Sequence, residues 1–242
     1  MLDSLRLIAQ LEALAKRPAQ AALADEYWHY GVPTPDVRRI AKQAARAFGG
    51  LSRRAQDQIV LQLLAQGSDE AAHLGGCLLS QTVKHWSVLD RKLLDCAVRA
   101  FKGWSITDLF CIEVLQPLLL RFPEHLLAML QAWADDDLRW MRRASVVVFA
   151  RKIGASGKFT DPGLEACERL VWDLDNLVRK GVGWALKDLM HGDRARVLAY
   201  VRTLRLRGVS TVITRYALQR VQGTERREIL SIKPQSSGKA KA

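Results

Sequence analysis

Apolar residues recur along most of the chain at intervals of three and four, the spacing of amphipathic helices. No run alternates apolar and polar residues between turn signals, so no sheet is expected. The pattern predicts helices over Leu2 to Lys16, ending before Pro18, and over Gln20 to His29. A turn follows at Tyr30-Gly31-Val32-Pro33-Thr34-Pro35, where Thr34 can cap and Pro35 can take the first helical position. The next helix carries Arg38, Arg39 and Lys42 and stops at Gly49-Gly50. Further helices are expected over Leu51 to Gln66, from a Ser68 cap to His85, and over Val88 to Lys102. From Gly103 a helix runs to about Arg121 with a kink at Pro117. Pro123 then starts a helix to about Ala134. Asp135-Asp136-Asp137 opens one from Leu138 to Ile153, and Gly154 to Thr160 is a loop. Asp161-Pro162 caps a helix to about Trp172, and others follow over Asp175 to His191, Asp193 to Leu206 and Ser210 to Gln222, where the ordered part ends.

Helices of ~12–16 residues recur about two per ~35–45 residues between short Gly/Pro turns, which points to an all-α helical-repeat solenoid of the HEAT kind. An irregular all-α bundle is the alternative. Residues 1–230 are expected to form a single domain, and the basic, low-complexity tail 231–242 to be disordered.

Charge sharpens this picture. Of 242 residues, 37 are Lys or Arg against 25 Asp or Glu, a formal net charge of +12. A sequence pI near 9.9 suits a polyanionic partner such as nucleic acid, met on a basic concave face. Cys77, Cys96, Cys111 and Cys167 form no C-x-x-C pair and read as reduced core residues of a cytoplasmic protein. His29, His73, His85, His125 and His191 form no ligand cluster, so neither a metal nor a cofactor is expected. No signal peptide is visible at the start, and no apolar run approaches the ~18 residues of a membrane span.

Three places carry candidate chemistry. On the helix opened by Gly103-Trp104-Ser105-Ile106-Thr107-Asp108, the residues Trp104, Cys111, Ile112, Leu115 and Leu119 share a face with Asp108. Phe110, Val114 and Leu118 lie away from it, so the helix is apolar nearly all round and either buried or lining a cleft. Ser105-x-x-Asp108 also reads as a capping box, which would explain the carboxylate without function. On the helix from Asp175, the stripe Val178, Val182, Ala185, Leu186 and Leu189 faces the core. Trp184 sits about 200° from Val182 with Lys180 and Lys187 beside it. Gly181 and Gly183 flank that Trp and would let another backbone approach. Arg139, Arg142 and Arg143 cluster on one side of their helix, as a solvated face or a phosphate contact.

Gly31-Val32-Pro33-Thr34-Pro35 with Arg38-Arg39, Trp104-x-x-x-Asp108, Trp140-Met141-Arg142-Arg143-Ala144 and Gly183-Trp184-Ala185-Leu186-Lys187 stand in this order. Together, over about Gln20 to Val221, they resemble the AlkD-type alkylpurine DNA glycosylases, HEAT-like-repeat proteins of bacterial DNA alkylation repair. The resemblance implies a glycosylase that excises cationic N3- or N7-alkylated purines from duplex DNA without necessarily flipping the base. Asp108 would be the catalytic carboxylate, Trp104 and Trp184 would flank the lesion, and Arg143 would hold the DNA backbone beside it. Lys187, Arg38, Arg39 and Thr34 fall at further DNA-contacting positions, and the protein is expected to act as a monomer. Two positions depart from the family pattern. Lys187 stands where Arg is usual and lacks its planar fork, and Pro33 replaces a polar residue. The other class in view is a non-catalytic helical-repeat protein that binds damaged or branched nucleic acid.

Overall fold

A computed structural model describes residues 2–21, 25–87 and 91–235. Among these residues every regular element is helical, and the sole β feature is an isolated bridge between Trp28 and Ser68. The all-α class holds and is consistent with a helical repeat. None of the helices described is long and apolar enough to cross a membrane. Contacts divide the chain into two compact units, Met1–Leu126 and Leu127–Ala242, a division the periodicity alone does not show.

The first unit contains α1 (Ser4–Glu12), α2 (Thr34–Gly49), α3 (Arg53–Ala65), α4 (Asp69–Thr82), α5 (Arg91–Arg99), α6 (Trp104–Phe110) and α7 (Gln116–Arg121). Helix α4 is the centre. Its run Ala71 to Leu79 is buried on every side, as befits a helix apolar all round. Ser68 caps it by accepting from the Ala71 N–H, and Ser52 caps α3 likewise. At Gly76 a Cβ would stand 2.9 Å from Leu109 and 3.0 Å from Ile106, so the glycine lets α6 lie close against α4.

The first turn of α4 anchors two other segments. The Glu70 carboxylate, 5% exposed, accepts the backbone N–H groups of Tyr30 (3.1 Å), Gly31 (2.8 Å) and Val32 (3.2 Å). One turn later His73 places Nδ1 2.8 Å from the Asp69 carbonyl and 3.2 Å from its carboxylate, and Nε2 3.0 Å from Ser105 Oγ at the start of α6. Burial disfavours the His73 cation, but the hydrogen bond and charge of Asp69, with Glu70 behind it, outweigh this and raise its pKa.

Several expected elements change for identifiable reasons. Residues 20, 21 and 25–29 are not helical, and 22–24 of that expected helix lie outside the described residues. Here the backbone pairs with the start of α4 instead, Trp28 N–H to Gly67 O and Asp69 N–H to Trp28 O. Pro33, not Thr34, stands at the N-cap of α2, with no side-chain cap bond. The helix expected over Val88 to Lys102 is described over Arg91–Arg99, residues 88–90 being outside the description. Cys96 on α5 is exposed rather than core, while Cys77, Cys111 and Cys167 are buried. At Pro117 there is no simple kink. The chain winds a π turn over Cys111–Leu115, in which the Gln116 N–H reaches back five residues to the Cys111 carbonyl. Widening the helix here accommodates a ring that has no N–H and would meet the carbonyl four residues back.

The second unit holds most of α8 (Pro123–Ala134), with α9 (Arg139–Val147), α10 (Arg151–Ala155), α11 (Thr160–Leu170), α12 (Asn176–Leu189), α13 (Arg194–Arg207), α14 (Thr211–Ala217) and α15 (Gly223–Ser231). Asp175, Asp193 and Ser210 cap α12, α13 and α14 through their side chains. Helix α12 is central, with Val178, Val182, Ala185, Leu186 and Leu189 all fully buried. A Cβ on Gly183 would meet Tyr216 Cβ at 2.6 Å and the Ile213 carbonyl at 2.9 Å, so this glycine admits α14.

The continuous helix expected from Leu138 to Ile153 is broken. Arg151 takes a left-handed backbone (φ 51°), rare for a residue with a side chain, and its N–H donates to Asp188 Oδ2 at 2.7 Å. Residues 151–155 of the expected segments are therefore α10, and only 156–159 form a loop. Phe159 rather than Asp161 takes the N-cap of α11. Order also continues past Gln222 into α15, and the Gln235 N–H donates to the Leu206 carbonyl. Residues 236–242 of the expected disordered tail are outside the description.

Replacing Glu70 with Ala should strand three N–H groups and cost about 3 kcal/mol. The melting temperature should fall by about 6–12 °C, with a smaller loss for Glu70→Gln. An unchanged melting curve would show that the carboxylate does not hold residues 30–32. For His73, a folded pKa above the unfolded one means stability that is complete below the ordinary histidine value and lost as pH rises through the elevated one. The melting-temperature gap between wild type and His73→Gln should therefore narrow as pH rises above the ordinary histidine value of about 6.5. A gap independent of pH would contradict this.

Candidate functional site

In the first unit, α6 presents Trp104 at its first position, 56% exposed. Asp108 lies one turn on, half-buried, on the same side of the helix. The capping-box reading of Ser105 and Asp108 fails. Gly103, which has no side chain to cap with, is the N-cap, and Ser105 Oγ is turned to His73. Asp108 therefore stands beyond the first turn, where a cap would have to sit. Of the other residues read on this helix, Phe110, Cys111, Val114, Leu115, Leu118 and Leu119 are buried and Ile112 is half-buried.

Three pins set this rod against its neighbours. Ser105 is held at the start. In the π turn, Glu113 receives Arg38 Nη2 and Nη1 at 2.5 and 3.3 Å. At the end, Arg121 donates to the carbonyls of Val83 (2.9 Å) and Trp86 (3.0 Å). The Glu113 bond raises the pKa of Arg38 further. Arg38 thus ties α2 to the turn just after Asp108, while half its side chain stays exposed. Arg39 pairs with Asp36 at 3.0 Å and is equally exposed, and Thr34 is exposed at the start of the same helix. These three belong to one surface of α2, delivered by the loop that Glu70 holds.

In the second unit, Trp184 is half-buried on α12 with cations over its ring. The Arg151 guanidinium lies 5.6 Å and the Lys187 ammonium 5.9 Å from its centroid, and Lys187 is 5.0 Å from the Tyr216 ring. Lys187 stands beside Trp184 as its position on α12 implies, and Lys180 is exposed. The side chains border an open cleft of about 550 Å³, lined also by Lys152, Asp188, His191 and Arg220.

Of the arginines of α9, Arg142 and Arg143 are engaged inward, while Arg139 keeps nearly half its side chain exposed. Arg142 pairs with Asp173 at 2.6 Å, and Arg139 with Asp175 at 3.3 Å. Arg143 is 5% exposed and donates through Nη1 to the Leu177 carbonyl. A phosphate contact from Arg143 would have to share or replace that bond, so the exposed arginine face read from the sequence becomes a brace for the first turn of α12.

Arg151, Tyr216 and Arg220 are among the cleft residues that periodicity missed, together with Lys152, Asp188 and His191. Tyr216 and Arg220 at i and i+4 offered a weak signal, but Arg151 reaches the cleft only because Asp188, 37 positions away, bends its backbone.

Comparison with known proteins bears on both units. Among curated proteins nothing matches the chain. A solved structure described as a predicted DNA alkylation repair enzyme from Enterococcus faecalis is similar in fold, with a TM-score of 0.70 over 90% of this chain and 94% of that one, at 13% identity. The sequence model of the DNA alkylation repair enzyme family matches residues 5–221, a span that includes α2, α6, α9 and α12 with all the candidate residues above, and the chain belongs to that family.

Proposed function

We propose that the protein is an alkylpurine DNA glycosylase, hydrolysing the N-glycosidic bond of cationic N3- or N7-alkylated purines in duplex DNA, with no need to flip the base. The observation that carries this reading is the pair on α6. An exposed Trp104 precedes by one turn a carboxylate that is not a helix cap, on a rod pinned at three points. Family membership supports a repair role on DNA.

The chemistry follows from the charge of the substrate. A purine alkylated at N3 or N7 is already cationic and departs as a neutral base without a strong acid. Positive charge then gathers on the deoxyribose, as in glycoside cleavage. The role assigned to Asp108 is to stabilise that charge and to orient the water whose oxygen bonds to C1′. Trp104 and Trp184 are assigned to the faces of the cationic base and sugar. Thr34, Arg38 and Arg39 are assigned to backbone phosphates, and so is Lys187 until the base has left. Arg143 is assigned to these phosphates too, by sharing or giving up its bond to the Leu177 carbonyl. Phosphates would also draw Arg151 and Lys187 off the Trp184 ring, leaving it open to a cationic partner. A neutral base gains little from such a site, which confers selectivity for charged lesions.

Asp108→Asn tests the assignment. Base release from methylated duplex DNA, followed under single turnover, should fall about 10²-fold or more, while affinity for the same DNA holds. Wild-type release rates would leave the non-catalytic binder as the better reading. Affinity itself should fall steeply with salt. Neutralisation of about four phosphates gives a slope near −3.6 in log K against log salt. A flat dependence would remove DNA backbone as the partner of these side chains.

A further inference from the structure

Lys187 is held differently from the exposed lysine on the same helix, Lys180. Only 11% of its side chain is exposed. Burial lowers its pKa, Arg220 and Arg151 push the same way, and Asp188 at 4.0 Å pushes back without restoring the ordinary value. Desolvation beside other cations is how a lysine keeps a neutral amine available as a nucleophile.

Its surroundings supply the other parts of an amine-catalysed reaction. Asp188 is 4% exposed, with Oδ2 fixed by the Arg151 N–H. Its Oδ1 accepts no hydrogen bond and faces Lys187 and, at 3.7 Å, Arg220. It is a buried base aimed at the amine. Trp184 and Tyr216 wall the cleft, and Arg151, Lys152 and Arg220 give it the charge to hold a sugar-phosphate. The proposed excision leaves a deoxyribose hydroxylated at C1′, which ring-opens to an aldehyde. Its product is therefore an electrophile suited to an amine.

We propose that Lys187 is the nucleophile of a second activity, a β-lyase acting on abasic sites in DNA, with Asp188 as its base. Nζ adds to the C1′ aldehyde, and the carbinolamine loses water to form a Schiff base. The C2′ proton passes to Asp188 Oδ1, the C–H electron pair becomes the C2′–C3′ double bond, and the C3′–O bond breaks. The phosphate leaves with the electrons of that bond, its charge met by Arg151 and Arg220. Water then hydrolyses the conjugated imine, restoring the amine and leaving an unsaturated aldehyde on the 3′ end of one strand and a phosphate on the 5′ end of the other. No oxidant or reductant takes part. The inference rests on the DNA-repair reading above but not on excision by Asp108, because a preformed abasic site bypasses that step.

The test uses duplex DNA with one abasic site made by removing a uracil, incubated with the full chain in the presence or absence of sodium borohydride, which reduces the imine to a stable link. Wild type and Lys180→Arg should give a covalent adduct and, without borohydride, a nick bearing a 5′-phosphate. Lys187→Arg, with its melting curve matched to wild type, should give at least about tenfold less of both. Peptide mapping of the wild-type adduct should place the link on Lys187 whether or not the variant folds well. No adduct with wild type, an undiminished adduct with Lys187→Arg, or a link on another residue overturns the proposal. The same preparation assayed on methylated DNA separates the two activities, since loss of excision with the adduct retained counts against Asp108 alone.

Discussion

A buried carboxylate on the first turn of α4 underlies the arrangement of the first unit. Glu70 could be there only because three N–H groups in succession, from Tyr30 to Val32, solvate it in place of water. Those donors are the loop that starts α2, so desolvation of one charge fixes the entry of the helix that carries Thr34, Arg38 and Arg39. One turn along, His73 and Ser105 do the same for the helix bearing Trp104 and Asp108. Two candidate contacts distant in sequence are thus referenced to a single turn of backbone, and the packing at Gly76 brings the second of them close.

In the second unit the constraint is steric before it is electrostatic. Helix α12 has no room for a Cβ at position 183, and the closeness of α14 brings the Tyr216 ring within reach of Lys187. Asp188, one residue on, then turns the chain at Arg151 and delivers a guanidinium to the Trp184 ring. The strained backbone at Arg151 is repaid by a buried carboxylate that would otherwise lack a donor on Oδ2.

Much of the fold was legible because it depends on neighbours in sequence. Ser68 caps the helix that follows it as read, and the Val178 to Leu189 stripe is buried as its period requires, whereas the caps read at Thr34 and Asp161 fall to Pro33 and Phe159. Failures came where the partner is remote. Nothing near residues 20–29 says that Trp28 will pair with the start of α4, and nothing near Arg142 says that Asp173 will take its charge. The capping-box motif misled because a motif cannot tell which of Gly103 and Ser105 begins the helix. For the candidate site, the sequence identified Trp104, Asp108, Trp184 and Lys187 as residues to watch. It could not see that Arg143 bonds inward or that Arg151 joins the cleft, since both depend on α12 lying alongside.

The π turn after Asp108 divides one rod into two parts with different duties. An extra residue in a turn sets everything beyond it back by about 100° relative to an unbroken α-helix. The bearing of Asp108 and the seating of Leu118 and Leu119 are therefore not locked to a single helical phase. Core packing beyond residue 115 can stay as Pro117 demands while the carboxylate end keeps its own orientation. Glu113 sits within that gearing and holds Arg38. A group on α2 that moved to meet a charged ligand would thus pull on the one stretch of the rod whose pitch is already relaxed, and such a stretch can yield by changing its winding rather than by unpacking.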